Sequence, residues 1–207
     1  VLVCGATVSR AEWKMQIYRG GNVDFYRLAD IDSLKFFDDT LSVPGMVTIP
    51  AGVFMMGDGA AHCGTQEHQV TLTRSFYLGR HEVTNQEYLE AVQWALDHGY
   101  VTATTTSVRD NLDGSTQELL KLAGQCEIAV NGGTFPLRDV GHGINPHHPV
   151  KEVTWYGAVR YCDWLSLQAG FPRAYQHTGD WACNGGDPYG AQGYRLPTDA
   201  EWEYAAR

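Results

Sequence analysis

The sequence GYRLPTDAEWEYAAR, residues 193–207, combines the end of a strand with the start of a helix. Pro197 ends the strand because its ring removes the backbone N–H that a sheet needs. Thr198 is a favourable N-cap residue, and Glu201 stands at the third helical position, where its side chain can accept from the N-cap backbone. These residues predict a helix that begins after Thr198.

The helix that begins after Thr198 is short, and it reaches the last residue, Arg207, without a C-cap. Its shortness bears on whether Trp202 is buried. A helix so short is not stable alone in water, so we expect Trp202 to turn inward against the helix that carries Tyr161 and Trp164. Trp202→Ala is then predicted to cost about 3 kcal/mol or more. The missing C-cap also predicts that the domain continues beyond Arg207 and is truncated here.

Two longer helices and several short strands are predicted upstream. Thr84 and Glu87 form a second capping box before a helix over 84–95, and apolar residues at helical spacing predict another over 156–169. Paired short strands are expected within 46–57, where Pro-Ala-Gly breaks MVTIPAGVFMMG, and at 70–72 and 76–79. Residues 99–148 are loop-rich, with 117–122 open between helix and strand. The predicted fold class is an irregular α+β core.

The N-terminal region has a different pattern from the rest of the chain. Residues 13–18 and 23–28 alternate on either side of a glycine pair, which predicts a β-hairpin, and a third strand is expected at 34–37. Pro44 marks a linker, so we place a boundary near residue 43. The predicted organisation is a β-rich extension followed by a main domain, over residues 1–43 and 44–207.

Charge and hydropathy exclude two classes of partner. The chain has 24 acidic and 15 basic side chains, a formal charge of −9. This charge repels phosphate backbones, so no nucleic-acid partner is expected. No apolar run reaches the roughly 18 residues of a membrane helix, so no membrane span is expected.

The cysteines bear on location and on metal binding. Apolar residues 1–3 before Cys4 fit the end of an export signal with a lipid-accepting cysteine, whereas the bulky Val3 favours the alternative of a clipped β-strand. The other cysteines are widely spaced and form no Cys-x-x-Cys pair: Cys63, Cys126, Cys162 and Cys183. This spacing does not support a zinc ribbon or a thioredoxin motif, and it leaves one or two disulfides of an exported protein open.

Four blocks of sequence in this order resemble the formylglycine-generating enzyme family, also called the sulfatase-modifying-factor domain. They are residues 46–57, 76–88 (FYLGRHEVTNQEY), 149–164 (PVKEVTWYGAVRYCDW) and 193–207. The resemblance implies a variant of the C-type lectin fold, of which this chain is the N-terminal part.

The resemblance also implies an activity. Active members of that family oxidise the cysteine of a Cys-x-Pro-x-Arg sulfatase segment to formylglycine with molecular oxygen, using a cysteine pair that holds copper(I). In the family, this pair and the calcium loops lie beyond the position of Arg207. We therefore assign no catalytic, cofactor-binding or metal-binding residue in this chain, and expect copper and calcium only in the full-length domain.

The family blocks supply scaffold residues rather than reactive groups. Four large aromatic residues are predicted to anchor the fold: Trp155, Tyr161, Trp164 and Trp202. Three charged residues are predicted to be partly buried and paired, because an unpaired buried charge is costly: Glu82, Arg195 and Glu201. By resemblance, Cys162 matches a position that forms a disulfide near the domain's C-terminus, the alternative being a small buried apolar residue. Ala206 replaces a second structural cysteine of some members.

Two clusters of metal-ligand residue types need an explanation. The first contains histidines close to an aspartate: Asp139, His142, His147 and His148. Gly-rich loops often contain such residues without any metal-binding function. The second echoes part of a calcium loop: Asp110, Asn111, Asp113 and Gly114. No glutamate follows at the twelfth position of that loop, so a solvated turn is the better interpretation.

Two functions remain open from the sequence. The favoured one is a formylglycine-generating-enzyme-like domain of an extracytoplasmic protein, acting on an exported protein or peptide. The alternative is a non-catalytic ligand-binding or structural module on the same lectin-like scaffold, since a fold does not fix a function. A downstream cysteine pair would favour the enzyme.

Overall fold

The structure is a computed structural model that describes residues 14–19, 22–27, 45–59 and 66–207. The chain divides into two compact units, Val1–Ser42 and Val43–Arg207. This division lies beside the boundary expected near residue 43, and the assignment of separate domains stays a prediction. Across the described residues, no helix is both long and apolar enough to cross a membrane.

The first unit contains an antiparallel strand pair. Strand β1 (Lys14–Arg19) pairs with β2 (Asn22–Arg27), with Arg19 opposite Asn22 and Lys14 opposite Arg27. The two strands predicted here are confirmed, each displaced by one residue. The third strand predicted at 34–37 lies outside the described residues.

Two small sheets of the second unit are built from the segment after Gly45. Strand β3 (Met46–Ile49) pairs antiparallel with β6 (Phe76–Gly79), and β4 (Gly52–Met56) pairs antiparallel with β5 (His68–Leu72). All four predicted strands are confirmed. The β4–β5 pair lies in sequence between the two strands of the other sheet.

A three-stranded antiparallel meander follows in the region expected to be rich in loops. It consists of β7 (Val101–Ala103), β8 (Ser107–Asp110) and β9 (Glu118–Lys121). Strand β9 resolves the choice left open for residues 117–122. Strands β7 and β8 were not predicted, because their pairing with each other rather than their own sequence defines them.

The first helix begins at the predicted capping box. Helix α1 (Asn85–Asp97) has Thr84 as its N-cap, with the Glu87 N–H donating to the Thr84 hydroxyl at 3.3 Å. The Thr84 N–H donates to the Glu87 carboxylate at 2.8 Å, which completes the box. The helix predicted over 84–95 is confirmed and continues to Asp97.

The second helix packs against the first through aromatic side chains. Helix α2 (Trp155–Gln168), predicted over 156–169, has Thr154 as its N-cap. Tyr88 of α1 stacks on Tyr161 at a centroid distance of 5.6 Å and meets Trp164 edge-on at 6.2 Å. Trp164 is fully buried. Tyr161 and Trp164 are therefore two of the four aromatic anchors that the sequence predicted, whereas 51% of Trp155 is exposed.

Gly157 allows the first turn of α2 to lie directly on β9. A Cβ atom at this position would overlap the carbonyl oxygen of Leu119 and lie 2.9 Å from the Tyr88 hydroxyl oxygen. The neighbouring Thr154 hydroxyl donates to the Glu118 carbonyl oxygen at 2.6 Å. The backbones of α2 and β9 are thus in direct contact at this point.

Gly157→Ala is therefore expected to lower the free energy of unfolding by about 1–3 kcal/mol, as overpacking does. In a helix, alanine is more favourable than glycine by about 1 kcal/mol. A net loss of stability in Gly157→Ala can therefore come only from the steric clash with β9. Urea unfolding measures the difference. The matched control is Gln168→Ala at the exposed end of α2, with an effect within about 0.5 kcal/mol. If Gly157→Ala were as stable as the wild type, this close approach of α2 to β9 would be contradicted.

The third helix confirms one prediction and contradicts another. Helix α3 (Asp199–Ala206) begins at the Thr198–Glu201 capping box, as predicted. The expected burial of Trp202 is wrong, because 63% of this residue is exposed. Helix α3 packs against β4 and β5, and its Tyr204 contacts Phe54 of β4.

Side chains of α3 hold it on β4. The Tyr204 ring lies 5.2 Å from the Phe54 ring, centroid to centroid. The Gly57 N–H donates to the Glu203 carboxylate at 2.9 Å, and the Arg207 guanidinium donates to the Gly57 carbonyl oxygen at 2.6 Å. Helix α3 is thus held in place by hydrogen bonds and one aromatic contact, and not by the burial that was expected of Trp202.

Candidate functional site

A cleft of about 730 Å³ lies in the second unit, beside the segment that leads into α3. One wall is formed by residues 71–78, at the end of β5 and along β6. The other wall comes from Phe171 and from residues between 189 and 197. A second cavity, at residues 173–185, has only about 160 Å³.

An ion pair between Arg195 and Glu201 forms part of the cleft lining. The Arg195 guanidinium donates to both carboxylate oxygens of Glu201 at 2.7 Å, and also to the Leu196 carbonyl oxygen at 3.0 Å. Burial opposes ionisation of Glu201, yet hydrogen bonds from Arg195 and Thr198 lower its pKa below the usual value. This pairing was predicted, whereas Glu82, predicted to be buried with them, is exposed.

The second wall of the cleft is fixed by hydrogen bonds to the protein interior. The Tyr194 N–H donates to the Ser166 hydroxyl oxygen at 2.8 Å, and the Leu196 N–H donates to the Tyr175 hydroxyl oxygen at 3.1 Å. A Cβ atom at Gly193 would overlap the Pro172 carbonyl oxygen. This wall is therefore formed before any ligand arrives.

The chemistry of the lining suits non-covalent binding. Phe76, Tyr189 and Tyr194 supply aromatic surface, and hydroxyl and amide groups lie between them. Neither cysteine nor histidine occurs among the described residues that line the cleft. The cleft can bind an extended polar and aromatic segment.

A buried ionic network lies outside the cleft, around Arg160 of α2. Its guanidinium donates to Asp110 and to Asp163 at 2.9 Å each, and all three side chains are completely buried. The same guanidinium lies 4.4 Å from the ring centroid of Trp181, whose φ of 60° is unusual for a bulky residue. Burial raises the pKa of Asp163 to about 6, although the Tyr175 N–H and Arg160 donate to it.

This network replaces the solvated turn expected around Asp110 and Asp113. Asp110 is buried, and Asp113 accepts two hydrogen bonds from Arg173 at 2.8 and 3.0 Å. Those bonds lower the pKa of Asp113, with help from Arg160. The expected exposure is wrong because two arginines from distant parts of the chain neutralise these carboxylates.

The histidine cluster is held by backbone contacts. One Asp139 oxygen accepts N–H bonds from Gly141, His142 and Gly143 at 2.7–2.9 Å, which lowers the pKa of Asp139. His148 lies 3.9 Å from the Glu127 carboxylate. Over the part of the chain that is described, no three His, Cys, Asp or Glu side chains form a group that could hold a metal ion.

The three described cysteines are free thiols. Cys126 and Cys162 are buried, and Cys183 is half-buried. Burial raises the pKa of all three, that of Cys162 to about 12. Such thiols stay protonated at neutral pH and are poor nucleophiles.

Comparisons with known proteins give the family of this chain. A model of the FGE-sulfatase family, described as the sulfatase-modifying factor enzyme 1-like domain, matches residues 33–207. The formylglycine-generating enzyme of Bos taurus is 30% identical over 189 residues, which are 80% of this chain and 42% of that protein. The formylglycine-generating enzyme of Thermomonospora curvata is 28% identical over 182 residues, which are 79% of this chain and 48% of that protein.

A protein with a different name shares the same region. The serine/threonine-protein kinase pkn1 of Chlamydia pneumoniae is 26% identical over 161 residues, which are 78% of this chain and 19% of that protein. No solved structure matches the chain. The chain spans about half the length of the formylglycine-generating enzymes it matches.

Proposed function

Because the chain belongs to the sulfatase-modifying factor enzyme 1-like domain family, we propose that it serves in a protein that converts a cysteine of an exported target to formylglycine. The family match over residues 33–207 is the observation that carries this proposal. In it, the chain supplies the N-terminal scaffold of a C-type lectin-like fold, and the 730 Å³ cleft receives part of the target polypeptide. An extracytoplasmic location is part of the same proposal.

The described residues do not fit the copper site of such an enzyme. Copper(I) prefers thiolate ligands, and burial keeps the thiols of Cys126, Cys162 and Cys183 protonated. Calcium fits no better at Asp110 and Asp113, because arginines occupy both carboxylates. The copper and calcium sites of the proposed enzyme therefore belong to residues other than these.

The experiment uses the complete gene product, supplied with copper and oxygen, and a peptide that contains Cys-x-Pro-x-Arg. We expect the cysteine to become an aldehyde, which a hydroxylamine probe traps and mass spectrometry detects. The control peptide has serine in place of cysteine and gives no trapped product. Phe171→Ala, which removes an aromatic side chain from the cleft, should raise KM for the peptide more than it lowers kcat. If the complete protein formed no aldehyde on the peptide, the proposal would be contradicted.

The alternative function is a non-catalytic binding module on the same scaffold. Two observations favour it: the described residues that line the cleft include no cysteine, and a related segment forms part of a protein named as a kinase. A complete gene product that binds the peptide at the cleft but leaves its cysteine unchanged would support this alternative.

The 207-residue chain by itself is expected to form no formylglycine, even with copper. The reason is that burial raises the pKa of its described thiols, and that no three His, Cys, Asp or Glu side chains among the described residues form a group that could hold a metal ion. The measurement is the same aldehyde trapping, with the complete gene product as the positive control. Any aldehyde on the peptide above the level of the serine control would show that this prediction is wrong.

A further inference from the structure

Two of the described cysteines meet at one buried cluster. Cys162 lies on α2, and Cys183 begins a short 3₁₀ turn, Cys183–Gly186, in the loop that follows this helix. Cys183 packs against the cluster that contains Cys162, together with Val159, Ala174, Tyr175 and Trp181. Cys126 packs in a separate cluster, around α1.

Interactions of Tyr175 and of the two thiols indicate that Cys162 and Cys183 lie close together. The Tyr175 hydroxyl accepts from the Leu196 N–H at 3.1 Å. Burial raises the pKa of the Cys183 thiol, and hydrogen bonding with Tyr175 opposes that rise. Burial is the main cause of the raised pKa of Cys162, and the Cys183 thiol adds to it. Both thiols also add to the raised pKa of Tyr175. Each sulfur is thus within electrostatic reach of the same hydroxyl group.

The backbone near Cys183 is already attached to the helix that carries Cys162. The Tyr175 N–H donates to the Asp163 carboxylate at 3.0 Å, and the Asn184 N–H donates to the Ala174 carbonyl oxygen at 2.7 Å. The first bond holds Tyr175 against α2, and the second holds Asn184, the neighbour of Cys183, beside Ala174. The main chain next to Cys183 is thus held near the segment that is attached to α2.

We propose that Cys162 and Cys183 form a disulfide bond when the protein meets a small disulfide oxidant such as glutathione disulfide. The half-buried Cys183 thiol loses its proton and attacks one glutathione sulfur, which releases one glutathione thiol and leaves a mixed disulfide. Cys162 then loses its proton and attacks the Cys183 sulfur, which releases the second glutathione thiol. Two protein thiols are oxidised, and one glutathione disulfide is reduced to two thiols.

The bond would fasten the loop over residues 170–193 to α2. Because this loop leads into the Arg195 wall of the cleft, the disulfide would also fix that wall. Closure of a loop of this length lowers the unfolding equilibrium constant on the order of 100-fold. The inference does not depend on the proposed catalytic activity.

Tryptic mapping of the protein tests the link directly. The native protein is equilibrated with glutathione disulfide, its free thiols are alkylated, and it is then unfolded and digested with trypsin. Cleavage after Arg160, Arg173 and Arg195 places the two cysteines in separate peptides, residues 161–173 and 174–195. We expect these two peptides to be recovered as one disulfide-linked species that separates on reduction.

Two results would overturn the proposal: alkylated thiols on both peptides after equilibration, or a link from either peptide to a different cysteine. Stability provides an independent measurement, since oxidation should raise the urea midpoint of the wild type but not that of Cys183→Ala. Cys126→Ala is the matched control, because its thiol lies in the other cluster and the oxidative increase should persist. An equal increase in Cys183→Ala would also count against the bond.

Discussion

Replacing Arg160 with methionine is expected to lower the free energy of unfolding by about 3–5 kcal/mol, the usual effect of removing one partner from a buried ion pair. Methionine retains much of the side-chain volume but leaves Asp110 and Asp163 without the cation that both contact at 2.9 Å. It also removes the cation that lies over the Trp181 ring. Urea unfolding at pH 7 measures this loss.

The pH dependence of this loss separates a charge effect from a packing effect. Without Arg160, the folded-state pKa of Asp163, which burial already raises to about 6, should lie even further above its value in the unfolded chain. The folded variant then binds more protons than the unfolded one, so its stability rises as the pH falls from about 7 towards about 5. The deficit relative to wild type should shrink over that range. A deficit independent of pH would show that lost packing is the cause.

Arg173→Met is the matched control for Arg160→Met. Arg173 pairs with Asp113, but 19% and 17% of these two side chains are exposed, so water can replace the lost contact. We expect a cost of about 1 kcal/mol or less, as for pairs that water can reach. If both variants lost the same stability, complete burial of Arg160 would not be the reason for its effect.

The capping boxes show which part of the fold could be predicted from the sequence. Thr84 with Glu87, and Thr198 with Glu201, fix helix starts through atoms only three residues apart, so no tertiary information is needed. The short strands near Pro50 were predictable for the same local reason. Strands β7 and β8 were not, because their pairing rather than their own sequence defines them.

The ionic network shows why the site residues were harder to predict. Asp110 and Arg160 are fifty residues apart in sequence, and only the tertiary fold brings them together. One feature of the sequence pointed there: Arg160 and Asp163 are three residues apart on a helix face that also carries Val159 and Trp164. A charged pair on an apolar face predicts a buried ion pair with further partners.

The cleft was partly predictable. Pairing of Arg195 with Glu201 follows from their positions before and within a capped helix start, and it is confirmed. The opposite wall comes from residues 71–78, and nothing local in either segment indicates that they face each other. The solvated turn predicted around Asp113 is wrong, since Asp113 pairs with Arg173.

Trp164→Ala is expected to lower the free energy of unfolding by about 3–5 kcal/mol, whereas Trp202→Ala should change it by less than about 1 kcal/mol. Both residues lie on helices, so the comparison removes most of the difference in helix propensity. Trp164 is fully buried between α1 and α2, while 63% of Trp202 is exposed. The first truncation therefore opens a cavity beside Tyr88, and the second removes surface that water already covers.

A third variant separates cavity formation from loss of the indole N–H. The Trp164 Nε1 atom is buried without a hydrogen-bond partner among the described residues, so its removal should cost nothing in polar contacts. Trp164→Phe keeps most of the ring contact with Tyr88 and should lose clearly less stability than Trp164→Ala. Urea unfolding of the three variants provides the ranking Trp164→Ala, Trp164→Phe, Trp202→Ala, from the largest loss to the smallest. A loss at Trp202→Ala as large as that at Trp164→Ala would mean that α3 buries its indole, as the sequence alone suggested.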